Sequence, residues 1–411
     1  MVNLKRLLIN ILLFPVMPIF GALTGNITTD TTELIGAFYD KTALEAEQPY
    51  LILHQFAVKT KDIPKYNSPT VYWWKTIPLA VTVSPLTEGS SPAATDLEFQ
   101  RSTATVTIHG KVVALSEFLQ MTAIDPEMKS AAATLGIHRG KYRDLMYWEE
   151  LVKRLYPMRI DADSTYETAL TADASGSTTT IVDTTLTQAA NFFLGGVVVI
   201  TAGNNKGMGG YCTDFVATTT TLTFTPAVNE ATGTSDVYKL ATSTGITAAD
   251  PLTCAGVAKG VVILQSNHSV PLDDGYYGGV LSPFTEYDIR NDSAWINADE
   301  YAGSKKLYNG EMGTWGMTRF VRDTVPWRST AGTMGTYVAT GAVFHTPIFG
   351  KECYAGVGIQ GAEPQLIIHP KERTADSLEM YSTMGWKAFL VCKVLNACWG
   401  CQILSGATSI S

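Results

Sequence analysis

Asp288-Ile-Arg290-Asn-Asp292-Ser-Ala-Trp295, followed by Tyr301-Ala-Gly303 and Leu307-Tyr-Asn-Gly310-Glu311-Met-Gly313, is the stretch on which the reading of this chain turns. It holds no nucleophile beside a base, no metal-ligand spacing and no phosphate loop. It holds a charged helix start, a tryptophan of the kind that anchors a core, and a glycine-flanked acidic turn leading into Arg319-Phe-Val321, a candidate strand. Asp288, Arg290 and Asp292 stand two residues apart, and side chains at that spacing do not face each other on a helix. They read as helix N-terminal charges and salt-bridge partners of a neighbour rather than as a catalytic acid cluster. A segment of this kind builds a rigid surface for another protein.

The totals agree with that reading. The chain has 411 residues, enough for a sizeable core and two or three domains. Charged residues make up 17% of it, against roughly 25% in typical soluble proteins, and Thr, Ser and Gly fill the difference. A monomer with so little charge risks self-association, whereas a subunit that covers its surface with copies of itself does not. The net charge of −8 and pI of about 5.3 argue against a tight nucleic-acid binder, which carries a basic footprint. A container for DNA needs no such footprint, since its wall need not grip what it encloses.

Six cysteines are too sparse for a disulfide scaffold in a chain this long. Cys398-Trp-Gly-Cys401 has the spacing of a redox pair or half a zinc site. A redox pair belongs at a helix N-terminus, but Ala388-Phe-Leu-Val-Cys392-Lys-Val-Leu395 reads as a strand, and no further zinc ligands lie near. Buried strand thiols are the expectation. The histidines (His54, His109, His138, His268, His345 and His369) lack metal-ligand pairing.

Residues 1–57 comprise an apolar leader and a helix. Lys5-Arg6 and the apolar run Leu7 to Phe20, ending at Gly21-Ala22, have the shape of a secretory signal. The run is shorter than the about 20 residues of a membrane span and holds Pro15 and Pro18. A signal, an upstream extension and an apolar arm packing on neighbouring subunits all stay open. Residues 58–114 read as an extended two-stranded loop. Its strands are Val71-Tyr-Trp73-Trp74-Lys75 and the alternating Ala104 to Val113, and the connection between them, with Glu88 at its tip, exceeds the about 2–5 residues of a hairpin loop.

Residues 115–164 contain a spine helix. Asp125-Pro126 supplies an N-cap and a first-turn proline. Met128, Ala132, Leu135, Tyr142, Leu145, Trp148, Val152 and Leu155 then recur at helical steps until Pro157. Gly136 and Gly140 predict a bend or close packing in its middle. Residues 165–242 are crowded with threonine and nearly free of helical pattern, which predicts a self-contained small β domain inserted into the main fold. Thr247 and Asp250 have capping-box spacing, so a helix is expected to follow to about Leu264. Residues 243–370 alternate short strands and helices, and 371–411 return as strands.

The order of these elements resembles the major capsid proteins of tailed bacteriophages with the Hong Kong 97-like fold, in the branch typified by Enquatrovirus-type podophages. The motifs that carry the resemblance are spread over most of positions 31–404. They are Pro85-Leu-Thr-Glu-Gly89, Leu115-Ser-Glu-Phe118, Leu119-Gln-Met-Thr-Ala-Ile-Asp-Pro126, Asp288 to Trp295, Gly310-Glu-Met-Gly313, Arg319-Phe-Val321, Phe349-Gly-Lys-Glu-Cys-Tyr354 and Gly385-Trp-Lys387. The leader is extra to the family plan, and the threonine-rich segment occurs in only part of the family.

The resemblance implies an α+β fold. It would have an N-terminal arm (1–57), an extended loop (58–114), a peripheral domain with the spine helix (115–164) and an inserted β domain on the outer surface (165–242). An axial domain (243–370) and C-terminal strands returning to the peripheral domain (371–411) would complete it. It implies self-assembly as hexamers and pentamers into an icosahedral head. Portal and scaffolding proteins would be partners, and decoration proteins further ones. The shell would form in the host cytoplasm and enclose double-stranded DNA without sequence-specific contact, with no cofactor, metal, catalytic residue or membrane.

The candidate contact residues are Trp73, Trp74, Glu88, Asp288, Arg290, Trp295, Glu311, Arg319 and Trp386. Trp73 and Trp74 point to opposite faces of a strand, so at most one packs in its own core and the other meets a partner or solvent. Glu88 either pairs with a basic residue of an adjacent subunit or stays solvated. Two rivals stand beside this reading. A secreted or surface-layer β protein is suggested by the leader and the threonine-rich segment. A hydrolase or carbohydrate-binding enzyme in 271–404 would need an acid pair or triad that the sequence does not display.

Overall fold

The run of apolar positions from Met128 to Val152 forms helix α4 (Glu127–Val152), the longest element of the computed structural model. The structure describes residues 39–59, 62–65, 68–76, 88–89, 94, 96–97, 99–122, 127–161, 169–234, 236–295, 311–330, 332–362, 364–369, 378 and 380–408. The apolar leader and Tyr301 to Gly310 lie outside them. Residues 39–47 are helical (α1) and lie against α4. A Cβ on Gly136 would stand 2.3 Å from the Ala43 carbonyl oxygen, and one on Gly140 would stand 2.8 Å from that of Glu47. The two glycines therefore serve close helix packing. Pro157 does not end the helix; it sits in β5 (Tyr156–Arg159), an edge strand where a missing N–H is tolerated.

The first half of α4 covers one face of a five-stranded sheet built on β20 (Tyr381–Val394). Ala132 and Leu135 pack there against Met384, Trp386 and Ala388, which alternate on one face of β20 as strand periodicity requires. One edge of β20 pairs with β4 (Thr107–Ser116). The other edge is shared by β19 (Gln365–His369) and β18 (Tyr354–Gly358), and β18 also pairs in parallel with β1 (Val58–Lys59). Helix α3 (Glu117–Thr122) follows β4 directly.

The second half of α4 brings Trp148, Leu151 and Val152 into the main core, over a second sheet. Its order runs β14 (Glu311–Trp315), β15 (Thr318–Arg322), β13 (Tyr277–Leu281), β17 (Val343–Phe349), β21 (Gly400–Ser405), β5, with β16 (Arg328–Ser329) added to β17. Helices α5 (Cys254–Ser266) and α6 (Pro283–Arg290) pack on it. The short helix α2 (Leu53–Phe56) fills the gap beside Tyr147 and Tyr354.

A third sheet takes all its strands from the threonine-rich segment. In order they are β6 (Leu170–Thr171), β12 (Val237–Ala241), β9 (Val197–Ala202), β10 (Gly209–Val216), β11 (Thr221–Thr225), β8 (Thr180–Val182) and β7 (Ala174–Ser177). Val198 and Ile200 face a core of its own with Phe193, Phe215, Leu222 and Tyr238, while Val197 and Val199 face the main core. The unit is thus closed in its pairing but shares β9 with the rest of the fold.

Two sequence expectations shift here. The alternation from Ala104 to Val113 spans two strands, not one. β3 (Phe99–Thr105) pairs with β2 (Thr70–Thr76) as a separate ribbon, and β4 goes to β20. The break falls at buried Val106, whose N–H is taken by the Pro69 carbonyl at 2.9 Å. Thr247 and Asp250 bond each other in a turn, and the helix begins later, capped by Thr253.

Candidate assembly surfaces

The ribbon sorts its side chains by strand alternation. Val71 and Trp73 turn inward, onto a small cluster of Ile63, Val106 and Val357. Tyr72, Trp74 and Phe99 turn outward on the other face, and Trp74 is 66% exposed. Cross-strand pairing sets Trp74 opposite Arg101, whose guanidinium lies 5.2 Å from the Tyr72 ring centre, a cation–π arrangement. The result is an apolar, aromatic face with a cationic rim and no cover from this chain's described residues.

A second apolar area lies along β4. Its inward set includes buried Leu115 and also His109, whose Nδ1 is 2.8 Å from the Tyr142 hydroxyl on α4. The opposite set presents Ile108 and Val112 to solvent, and α3 adds Phe118 and Met121. Among the described residues β4 is an edge strand, and none of them pairs with its outer backbone row beside these side chains. A third surface is a groove of about 620 Å³ between β5 and α5, with Met158, Ala258 and the exposed Val262 among its lining residues.

Most of the other predicted contact residues are bound within this chain. Asp288 lies in the last turn of α6, not at a helix start, because Ser282 caps that helix in a reciprocal box with Thr285. The buried Asp288 accepts hydrogen bonds from the Thr408 N–H (3.2 Å) and hydroxyl, fastening the C-terminal end of the chain. Arg290 pairs within α6 to Glu286 at 2.7 Å, and Arg322 grips the same carboxylate from β15. The expectation of a helix-start charge therefore gives way for Asp288, and both Asp288 and Arg290 have partners within this chain.

Asp292 accepts from the Cys254 N–H at 2.8 Å, the first residue of α5, and from the Ala294 N–H at 3.0 Å. Burial pushes its pKa up, but these backbone donors together with the Cys254 thiol outweigh burial and hold it below the usual range. Trp295 is half-buried with its ring 6.1 Å from Trp315 and 6.5 Å from Phe320. Arg319 pairs with Asp274. Trp386 is buried, donating to His138 Nδ1 at 3.3 Å. Glu311 opens β14 opposite Val321. Glu88 is exposed at a turn with Gly89 at φ +82°. Of the predicted set, Trp74, Glu88 and Arg290 are exposed, and the side chain of Glu311 lies outside the described residues.

Sequence reasoning missed the buried charges of α4. Arg139 and Arg143 both reach Glu47 of α1, at 2.6 and 2.7 Å. Asp144 Oδ1 takes the N–H groups of Ile52 and Leu53, capping α2. Burial, and then the nearby Asp323, raise the pKa of Asp144 far above the carboxylate range. Burial raises Asp323 too, although Trp148 Nε1 donates to it at 2.6 Å. The signal for these residues is polar character on the buried side of a helical pattern.

Buried chemistry also looks catalytic in one place. Ser329 Oγ is 2.9 Å from His345 Nε2, and His345 Nδ1 is 3.4 Å from Gln402 Oε1. All three are buried, a neutral amide stands where a triad has a carboxylate, and burial lowers His345 to about 4. Gln402 Nε2 donates to the Val152 carbonyl at 2.8 Å, so the chain of bonds ties α4 to the second sheet.

The six thiols are all buried, with Cys392 and Cys401 on strands and Cys398 in the 3-10 turn Ala397–Trp399. Among the described residues no cluster of three or more His, Cys, Asp or Glu is gathered for a metal ion. No described helix is long and apolar enough to cross a membrane.

No protein-family model matches the chain, and no curated protein matches it. Among solved structures, the capsid of Ralstonia phage GP4 is 15% identical with a TM-score of 0.48, over 85% of this chain and 86% of that one. The Cyanophage Pam1 capsid asymmetric unit is 16% identical with a TM-score of 0.48, over 84% and 86%. A virus-like particle from Pyrococcus furiosus is 7% identical with a TM-score of 0.41, over 90% and 99%.

Proposed function

We propose that this chain is a major capsid protein, a subunit that self-assembles into the icosahedral head of a tailed double-stranded DNA phage. The observation that carries the reading is the uncovered aromatic face of the β2–β3 ribbon, with Tyr72, Trp74 and Phe99 outward. Exposed apolar patches of this kind mark protein interfaces, and a two-stranded ribbon is a natural reach toward a neighbour. The bare face of β4 and α3 offers a second surface, so one subunit has the two unlike patches that head-to-tail rings require.

The order of elements supports the Hong Kong 97-like reading: a ribbon, a long helix laid across a 14-residue strand, and a second sheet closed by the C-terminal strand. The motifs quoted above carry the Enquatrovirus-type branch. In this reading the threonine-rich sheet is an inserted domain facing outward, Glu88 meets a basic residue of an adjacent subunit, and hexamers and pentamers close the shell around DNA. Portal, scaffolding and decoration proteins are its further partners.

The test is expression of the full chain followed by sedimentation and negative-stain microscopy. Shells, tubes or hexamer-sized rings are expected. A chain that stays monomeric with scaffolding and portal proteins supplied would falsify the reading.

A further inference from the structure

Behind the ribbon lies a cavity of about 150 Å³ where distant parts of the chain meet. β2 and β3 bring Lys75, Gln100 and Arg101, which are cross-strand neighbours; the turn after α4 brings Arg154, and β20 brings Lys393. Turns of the threonine-rich sheet close the far side at Gly207 to Gly209 and Pro226 to Asn229. At about 30 Å³ per water, the space admits several waters or a small ion with part of its shell.

The charged and amide side chains on these walls are mainly donors. Glu150 faces Arg154 Nε at 2.7 Å and Lys393 Nζ at 4.0 Å, one carboxylate against two cations. No ion pair of Lys75 with a carboxylate is found among the described residues, and the charged group nearest in effect is Lys206. Gln100 is 7% exposed and its Nε2 has no hydrogen-bond partner. A buried donor left open in a native fold calls for a partner. Burial, and then a like charge, also lower the pKa of Lys393 to about 8; burial lowers that of Lys75. Cations gathered around an open, buried amide donor form a site for an anionic group that chiefly accepts hydrogen bonds.

We propose that this cavity binds a small tetrahedral oxyanion of the phosphate class, held by Lys75, Lys393, Arg154 and Gln100. Four acceptor oxygens match donors that arrive from separate elements, and a divalent negative charge offsets the surplus of cations. Bound there, the ion joins the ribbon to α4, β20 and the threonine-rich sheet. The inference does not depend on the capsid reading, because binding is measured on the soluble subunit. Free phosphate and the terminal phosphate of a nucleic acid share this chemistry.

Titration of the full chain with inorganic phosphate, at ionic strength held constant with chloride, tests it by calorimetry and thermal unfolding. A saturable heat and a phosphate-dependent rise in Tm are expected. Lys75→Gln should weaken binding roughly 30-fold, the scale of removing one partner of a buried charge contact. It should not lower the Tm without phosphate, since it removes a desolvated cation. Gln100→Leu should weaken binding too, while Lys129→Gln on the exposed side of α4 should not. Competition by a 5′-phosphorylated dinucleotide, but not by its dephosphorylated form, assigns the site to nucleic-acid ends; failure of both to compete assigns it to free phosphate. A response that chloride reproduces, or a Lys75→Gln chain that binds phosphate as tightly as the parent, overturns the proposal.

Discussion

Replacing Trp74 with alanine separates folding from assembly. The side chain is 66% exposed on the outer face of the ribbon. A fully covered aromatic side chain buries about 150–250 Å², so roughly 100–165 Å² remains for a partner to cover. At about 25 cal/mol per Å² that amounts to about 2.5–4 kcal/mol for each contact. With 1.4 kcal/mol per tenfold, the association constant of a contact centred on Trp74 drops by about 10²–10³. The fold loses little, because the exposed ring touches little of its own subunit and strand propensity changes by at most about 1 kcal/mol. Trp73→Ala has the opposite profile: its ring packs onto Ile63, Val106 and Val357, and removal costs up to about 3–5 kcal/mol of folding stability. Sedimentation velocity across a concentration series reads the assembly threshold, and urea unfolding of the dilute chain reads the fold. If Trp74→Ala assembles at the parental concentration, or unfolds as readily as Trp73→Ala, the assignment of the ribbon's two faces is wrong.

Three further outcomes follow from the interior. Glu47→Gln leaves Arg139 buried with its charge uncompensated, so the urea midpoint should fall by the equivalent of about 3–5 kcal/mol; a loss under about 1 kcal/mol would reject the clasp. Asp144 and Asp323 have folded pKa values above those of the unfolded chain, so the folded state holds protons that the unfolded state releases near pH 4. Their contribution to stability therefore falls as pH rises from about 4 through the folded values, and levels off above them. Asp144→Asn should flatten that slope while keeping an acceptor for Ile52 and Leu53, and urea midpoints across pH 4 to 8 with an unchanged slope would refute it. Burial raises the Cys398 thiol to about 11 and those of Cys353 and Cys392 as well, and the thiolate is the reactive form. A chromogenic thiol reagent at pH 8 should therefore barely label the native chain and consume six equivalents after denaturation; rapid native labelling would contradict the burial.

The parts of the fold that were legible are those whose signal is local. α4 could be read from its apolar period, β15 from Arg319-Phe-Val321, and the second half of β20 from the run Ala388 to Leu395. Gly136 and Gly140 announced close packing because a helix interior tolerates glycine at a cost. What escaped was set by partners far along the chain. The break at Val106 is invisible in sequence, since apolar and polar residues keep alternating while the pairing partner changes from β2 to β20. Arg139 reads as a surface residue until Glu47, 92 positions away, is folded against it. Asp288 reads as a helix-start charge only when the capping residues Ser282 and Thr285, which fix the true start one to two turns upstream, are left out of view. Trp386 looked available for contact, although its neighbours Met384 and Ala388 already mark a buried strand face.

These cases share a physical pattern. Several joints between distant segments are made by a carboxylate meeting backbone N–H groups or arginine: Glu47 to α4, Asp144 to α2, Asp292 to α5, Asp288 to Thr408. Such bonds are directional and fix orientation, and their cost of desolvation is met only when the geometry is complete. Large apolar side chains meanwhile stand outside on the ribbon, β4 and α3. A protein selected to remain alone gains nothing from that distribution, since exposed aromatic area invites association at every encounter. It suits a subunit whose interior is specified by charge and hydrogen-bond geometry before any partner arrives, with non-directional apolar area held back for the partner. Under the proposed assembly, folding and association would rest on different residues, and that separation is why Trp74, rather than Asp288, Arg290 or Asp292, is the residue on which the assembly reading stands or falls.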